Sequence, residues 1–195
     1  MFNAKEAFKA EILKIQNFKL QTVALSIMDK LPEYFWTAPA SSSGKYHPKC
    51  DLGEGGLVRH SIMVATCADD LVTCEMFVRD NEVNRDIARF AALFHDSWKN
   101  GDKKDDGTYE DHTVFEHPRI ASNFIRQNLE DAFIDSLKIE MICDAIYTHM
   151  GKWCTDKYGN AKALSKPRTD FEKLIHLADY MASRKYIAGL EEWNE

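Results

Sequence analysis

Apolar residues recur at helical spacing along most of the chain. Between Ala4 and Leu31 they fall at Phe8, Ile12, Ile15, Leu20, Val23, Leu25 and Met28. That stripe predicts helix with a break near Asn17, stopped or bent by Pro32. The segment Ala38 to Gly56 carries Pro39, a run of serines, Gly44, Pro48, Gly53, Gly55 and Gly56, and reads as loop. A second helix is predicted from Leu57 to Val78. A third runs from Val83 to Asp96, with Ile87, Phe90, Ala91 and Phe94 as its apolar face. Trp98 to Asp111 is polar, holds Gly101 and Gly107, and reads as an exposed loop or flap. Thr113 and Glu116 have the spacing of a capping box, whereas Pro118 suits the first turn of a helix starting at His117. Further helices are predicted over Asp135 to His149 and Asp170 to Leu190, separated by a loop from Lys152 to Arg168. Strand patterning is nearly absent and no repeat occurs. The expected fold class is all-α, a single helical bundle over residues 1–195.

Composition narrows the partners. A chain of 195 residues suits one domain with a sizeable core. Its net charge of -6 makes it a poor binder of long nucleic acid, which depends on Lys and Arg neutralising phosphates. A small phosphorylated substrate needs only a local positive site. The cysteines Cys50, Cys67, Cys74, Cys143 and Cys154 are odd in number and form no CxxC pair, so free thiols in a reducing compartment are expected. The N-terminus MFNAKEAFKAEILK has no apolar signal region, and no stretch reaches the roughly 18 apolar residues of a membrane span. The expectation is a soluble, cytoplasmic protein without a membrane partner.

The histidines change the picture most. His60 lies one turn into a predicted helix after Gly55 and Gly56. His95 and Asp96 close an apolar helix, His149 closes another, and His117 stands between Glu116 and Pro118. Each imidazole sits near the end of a core-packed helix, where packing can bring them together. His nitrogens and Asp oxygens suit borderline divalent metals. Successive helical side chains diverge by about 100 degrees, so His95 and Asp96 can share one ion only if the backbone loosens, which Ser97 to Gly101 allows. Taken singly, each of these residues reads as well as a core or surface group. Order and spacing carry the argument.

In that order the chain resembles the HD-domain superfamily of metal-dependent phosphohydrolases. The matching elements are Gly55-Gly56-Leu57-Val58-Arg59-His60-Ser61, then His95-Asp96-Ser97-Trp98-Lys99, and a distal Asp179 in HLADYMASRK. Glu116-His117-Pro118 and His149 lie between them, and the resemblance spans about residues 40–190. It implies one metal held by His60, His95, Asp96 and Asp179. In members with two additional histidines it implies a second metal, here on His117 and His149 with Asp96 bridging. The implied cofactors are one or two divalent ions, Mn, Fe, Ni, Co or Zn. Mg is admissible at a second position but disfavoured alone at a His-rich first one. The implied chemistry is metal-assisted hydrolysis of a phosphoester or phosphodiester in a nucleotide-like substrate, with Asp96 and Lys99 as the catalytic pair. Thr148 before His149 and the lack of a following GYP depart from the cyclic-dinucleotide phosphodiesterases of the HD-GYP type.

Substrate contacts are expected from Lys99 as a compact charge, from Arg184 and Lys185 after Asp179, and from Lys45 and His47 in the serine- and glycine-containing loop. That loop lacks the residues of a Walker A motif. Phe90, Phe94, Phe115, Tyr147 and Phe171 read as core, while Trp98 and Trp153 are expected near the site, able to stack on a base. His176, one turn before Asp179, is expected to orient that carboxylate, and His112 to be structural. Two alternatives stand beside this reading. One is a one-metal 5'-nucleotidase or deoxynucleotide triphosphohydrolase. The other is a non-catalytic, metal-containing nucleotide-binding protein.

Overall fold

A computed structural model describes residues 2–41, 44, 46–77, 85–154 and 164–184. Among them every regular element is helical, as expected. The elements are α1 (Ala4–Ile12), α2 (Phe18–Met28), α3 (Gly56–Leu71), α4 (Arg85–Phe94), α5 (His117–Asp131), α6 (Ser136–Thr148) and α7 (Asp170–Ala182). Short 3₁₀ turns lie at Glu33–Trp36, Lys49–Asp51, Glu75–Phe77 and Gly151–Trp153.

Local chemistry sets the boundaries. Asn3, Asn17 and Asp135 cap α1, α2 and α6 by accepting a first-turn N–H. Asn17 therefore marks the break in the long N-terminal stripe. The break is anchored across the molecule, since the Asp86 carboxylate at the start of α4 accepts the N–H groups of Gln16 (2.9 Å) and Asn17 (2.7 Å). The capping box is at Thr169 and Glu172, opening α7. Thr113 and Glu116 form none. α5 starts instead at His117 with Pro118 in its first turn, where a missing N–H costs nothing. Helix α3 stops at Leu71, short of the expected Val78, where the Thr73 hydroxyl takes the Asp70 carbonyl (2.7 Å) and offers the backbone a turn instead. The expected ends at Val78, Val83 and Leu190 lie outside the described residues.

Helix α3 packs on α4 and α7, and α6 packs on α5, α4 and α7. Their apolar faces, with those of α1 and α2, form one continuous cluster. Phe8 sits edge-on to Phe35 (5.3 Å) and Phe94 (5.5 Å), tying the N-terminal helix to the centre. Trp98 is 8% exposed and lies on Phe124 at 4.1 Å, so it belongs to the core and not to the site. Phe90, Phe94 and Phe171 are buried as expected, with Phe115 and Tyr147 half-buried. No described helix is long and apolar enough to cross a membrane.

Candidate metal centre

The buried ends of five helices converge. His60 comes from the second turn of α3, His117 opens α5, His149 closes α6, and Asp179 lies in the last turns of α7. His95 and Asp96 follow the last residue of α4. There the backbone passes into tight turns, with Ser97 N–H on Phe94 O (3.2 Å) and Lys99 N–H on Asp96 O (3.1 Å). This loosening lets two adjacent side chains enter one cluster.

Asp96 is the hub. Its Oδ2 is 3.3 Å from His95 Nε2 and 3.8 Å from His60 Nε2. Its Oδ1 is 3.0 Å from His117 Nε2 and 3.5 Å from His149 Nε2. Asp179 Oδ1 joins the first group, 3.1 Å from His60 Nε2 and 3.7 Å from His95 Nε2. The Nε2 atoms of His117 and His149 stand 3.3 Å apart. The carboxylate of Asp96 thus turns one oxygen to each of two donor groups.

The outer hydrogen bonds decide what these nitrogens are. His95, His117 and His149 each donate Nδ1–H to the backbone carbonyl three residues earlier, Ala92 O, Val114 O and Ile146 O, at 2.6–2.7 Å. In the neutral ring that leaves Nε2 as a bare lone pair facing inward. His95 Nε2 and Asp96 Oδ1 are buried without a hydrogen-bond partner. A buried set of inward-facing acceptors needs cations or protons at its centre. The residues therefore fit a divalent metal, and the mixture of imidazole and carboxylate is the donor chemistry such an ion takes.

Lys99 and the imidazoles set the electrostatics of the two carboxylates. The Lys99 ammonium contacts Asp96 Oδ2 directly. Burial opposes charge on Asp96, but Lys99, His95, His117 and His149 outweigh it and hold the carboxyl well below its usual range. Asp179 is likewise held low against its burial by His60, His95 and His149. Burial would lower His60, yet hydrogen bonding toward Asp179 and Asp51, together with the charge of Asp179, pushes it up to about 9. His149 is raised against burial by Asp96 and Asp179, whereas burial prevails at His117 and lowers it.

Asp51 is the functional-looking residue that sequence reasoning missed. It is 2% exposed, with Oδ2 at 3.6 Å from His47 Nδ1 and 3.7 Å from His60 Nδ1. These two rings meet edge-on at 4.8 Å. Asp51 reaches this position because Gly56 lets its carbonyl approach the start of α3, where a Cβ would lie 2.0 Å from that oxygen. The Gly55-Gly56 pair five residues on was the available signal.

A cavity of about 580 Å³ opens onto the cluster, lined by Asp96, His117, His149 and Asp179 and by His47, Lys99 and Arg184. Trp153 lines it too, but Trp98 does not. Lys45 and Lys185 lie outside the described residues. His176 does not orient Asp179. Its Nδ1–H donates to the His149 carbonyl instead (2.7 Å), bracing the end of α6. It fits there because Gly151 (φ +58°) has no Cβ, which would stand 2.2 Å from the ring. His112 is exposed beside Asp111.

Among curated proteins and among solved structures nothing matches the chain. The family model for the HD domain matches residues 57–184, which run from the residue after Gly56 to Arg184 and hold the whole cluster. The chain belongs to the HD domain family.

Proposed function

We propose that the protein is a two-metal phosphohydrolase acting on a phosphoester or phosphodiester bond of a nucleotide-like substrate. HD domains are for the most part metal-dependent hydrolases, and the clustered His and Asp groups suit a divalent ion. The observation that carries the two-metal reading is the division of Asp96, with Oδ2 toward His60, His95 and Asp179 and Oδ1 toward His117 and His149. The first group and the second group would each hold one ion, drawn from Mn, Fe, Ni, Co or Zn, with Mg admissible at the second. Bound ions supply an activated water and neutralise charge on the phosphoryl oxygens.

The chain's own residues do the rest. Asp96 stays ionised, and the backbone carbonyls fix the His95, His117 and His149 rings so that no reorientation is needed on binding. Lys99, which lies against Asp96 Oδ2 and lines the cavity, would supply a positive charge to a substrate phosphate there. Arg184 and His47 would contact substrate from the cavity wall, and Lys45 and Lys185 are proposed as further contacts from the sequence alone.

The test is hydrolysis of bis(p-nitrophenyl) phosphate, p-nitrophenyl phosphate and a nucleotide panel by Mn- or Co-loaded protein. Turnover is expected to fall at least about 100-fold in Asp96→Asn. A loaded wild type inert across the panel, yet binding nucleotides, would instead make this a metal-containing nucleotide-binding protein.

A further inference from the structure

The end of the bundle remote from the His–Asp cluster carries a strained, exposed aromatic. Helix α5 closes in a Schellman turn, with Phe133 N–H on Glu130 O (2.9 Å) and Ile134 N–H on Leu129 O (3.1 Å). The residue after the C-cap of such a turn is left-handed, a place that glycine fills without strain. Here it is Phe133, at φ +53°, the one non-glycine residue with positive φ among the described residues. Its side chain is 85% exposed, so packing within the chain does little to offset that strain. Lys19 of α2 donates to the Phe133 carbonyl and ties the turn down. Phe18, beside that lysine in the first turn of α2, is 79% exposed, and Leu137, at the start of α6, is exposed as well. A cavity of about 370 Å³ adjoins the turn, with Leu20, Ile87, Ile134 and Phe133 in its lining. Two lysines, Lys19 and Lys138, and two aspartates, Asp86 and Asp135, complete it.

We propose that this end of the bundle is a dimer face, on which a second copy of the chain docks about a twofold axis. A twofold contact puts the same patch on both sides, so the patch must hold both a projecting group and the hollow that receives it. Phe18 and Phe133 project, and the cavity beside them has an apolar lining. Charge favours a second copy over a partner of one sign. The two lysines and two aspartates balance to zero on a chain of net charge -6, so two copies meet here without net repulsion. Across the axis each lysine faces a surface that offers carboxylates, whereas an acidic partner or an anionic surface finds no positive excess. The area suits the core of an interface. The two phenylalanines together expose on the order of 300 Å², against roughly 800 Å² that each partner gives to a standard interface. Position fits too. Helices α4 and α6 reach the His–Asp cluster with their C-terminal ends and α5 with its N-terminal end, so the patch lies a helix length away, about 15–20 Å. Docking there leaves both cavities over the clusters open, and the proposal is independent of the chemistry at the cluster.

The experiment is sedimentation equilibrium of the full chain from micromolar to submillimolar concentration, with Phe133→Gly and Phe18→Ala alongside. Wild type is expected to pass from monomer to dimer across that range, and each variant to associate at least about tenfold more weakly. Phe133→Gly carries a second readout of opposite sign. It relieves the left-handed strain, so in dilute, monomeric solution its urea midpoint is expected to rise above that of wild type. Weaker association with a raised midpoint places Phe133 in the interface and not in the support of the fold. Phe18→Ala tests the same face without touching the turn. A wild type that stays monomeric throughout would overturn the second copy as occupant and leave the patch to a different partner. A dimer that both variants form as tightly as wild type would overturn the face by placing the contact elsewhere on the molecule.

Discussion

At the scale of single residues, the site is a problem of unpaired acceptors. Three imidazoles have spent their Nδ1–H on backbone carbonyls, and two carboxylates stand among their Nε2 atoms. His60 differs, because both its ring nitrogens face carboxylates, Nε2 donating to Asp179 Oδ1 at 3.1 Å and Nδ1 lying 3.7 Å from Asp51 Oδ2. Asp51→Asn keeps the shape and removes the charge, so metal affinity is expected to fall about 10- to 100-fold, read by competition with a chelating dye. The same electrostatics sets a pH dependence. In the metal-free protein His60 is raised to about 9, so below that pH a cation must displace its proton. Metal uptake is therefore expected to release protons and to weaken by about tenfold per pH unit for each proton displaced as pH falls. Calorimetry in two buffers of different ionisation enthalpy counts those protons, and a count of zero at neutral pH would contradict the raised His60.

At the scale of elements, the helices were legible from apolar periodicity, and so was the break at Asn17. The loosening after Phe94 was legible too, since Ser97 to Gly101 cannot sustain a helix pattern. What the pattern does not carry is contact between distant segments. Asp51 looks like a loop carboxylate until Gly56 is seen to admit its carbonyl. Tyr46 and Tyr180 gain meaning only because Arg184 lies over both. Trp98 was misplaced because a tryptophan in a polar stretch reads as exposed, while in three dimensions Phe124 of α5 covers it. The glycines give a paired test. At Gly53 the φ of +82° is strained for other residues, but the space is open, so Gly53→Ala is expected to cost about 1–2 kcal/mol. At Gly56 a methyl meets backbone at 2.0 Å, so Gly56→Ala is expected to cost more than Gly53→Ala by urea unfolding and to lower metal affinity as Asp51 is displaced. Equal effects of the two substitutions would contradict the close approach.

At the scale of the whole molecule, the hydrophobic core and the cluster depend on each other. Donors spread from residue 60 to residue 179 meet because α3, α4, α6 and α7 pack around one core, and the same packing crowds acceptors that repel when no cation is present. Metal should therefore stabilise the fold as well as complete the site, by about 2.7 kcal/mol at a free ion concentration 100 times Kd. Removal with a chelator is expected to lower the urea midpoint accordingly, and an unchanged midpoint would mean that the cluster binds no ion tightly. The most direct test of the central claim is metal content per chain by elemental analysis after loading and desalting, for wild type and His149→Ala. About two ions are expected in the wild type and about one in the variant, because Asp96 Oδ1 then keeps only His117 beside it. About one ion in both proteins would contradict the two-metal centre, and none in the wild type would contradict a metal centre altogether.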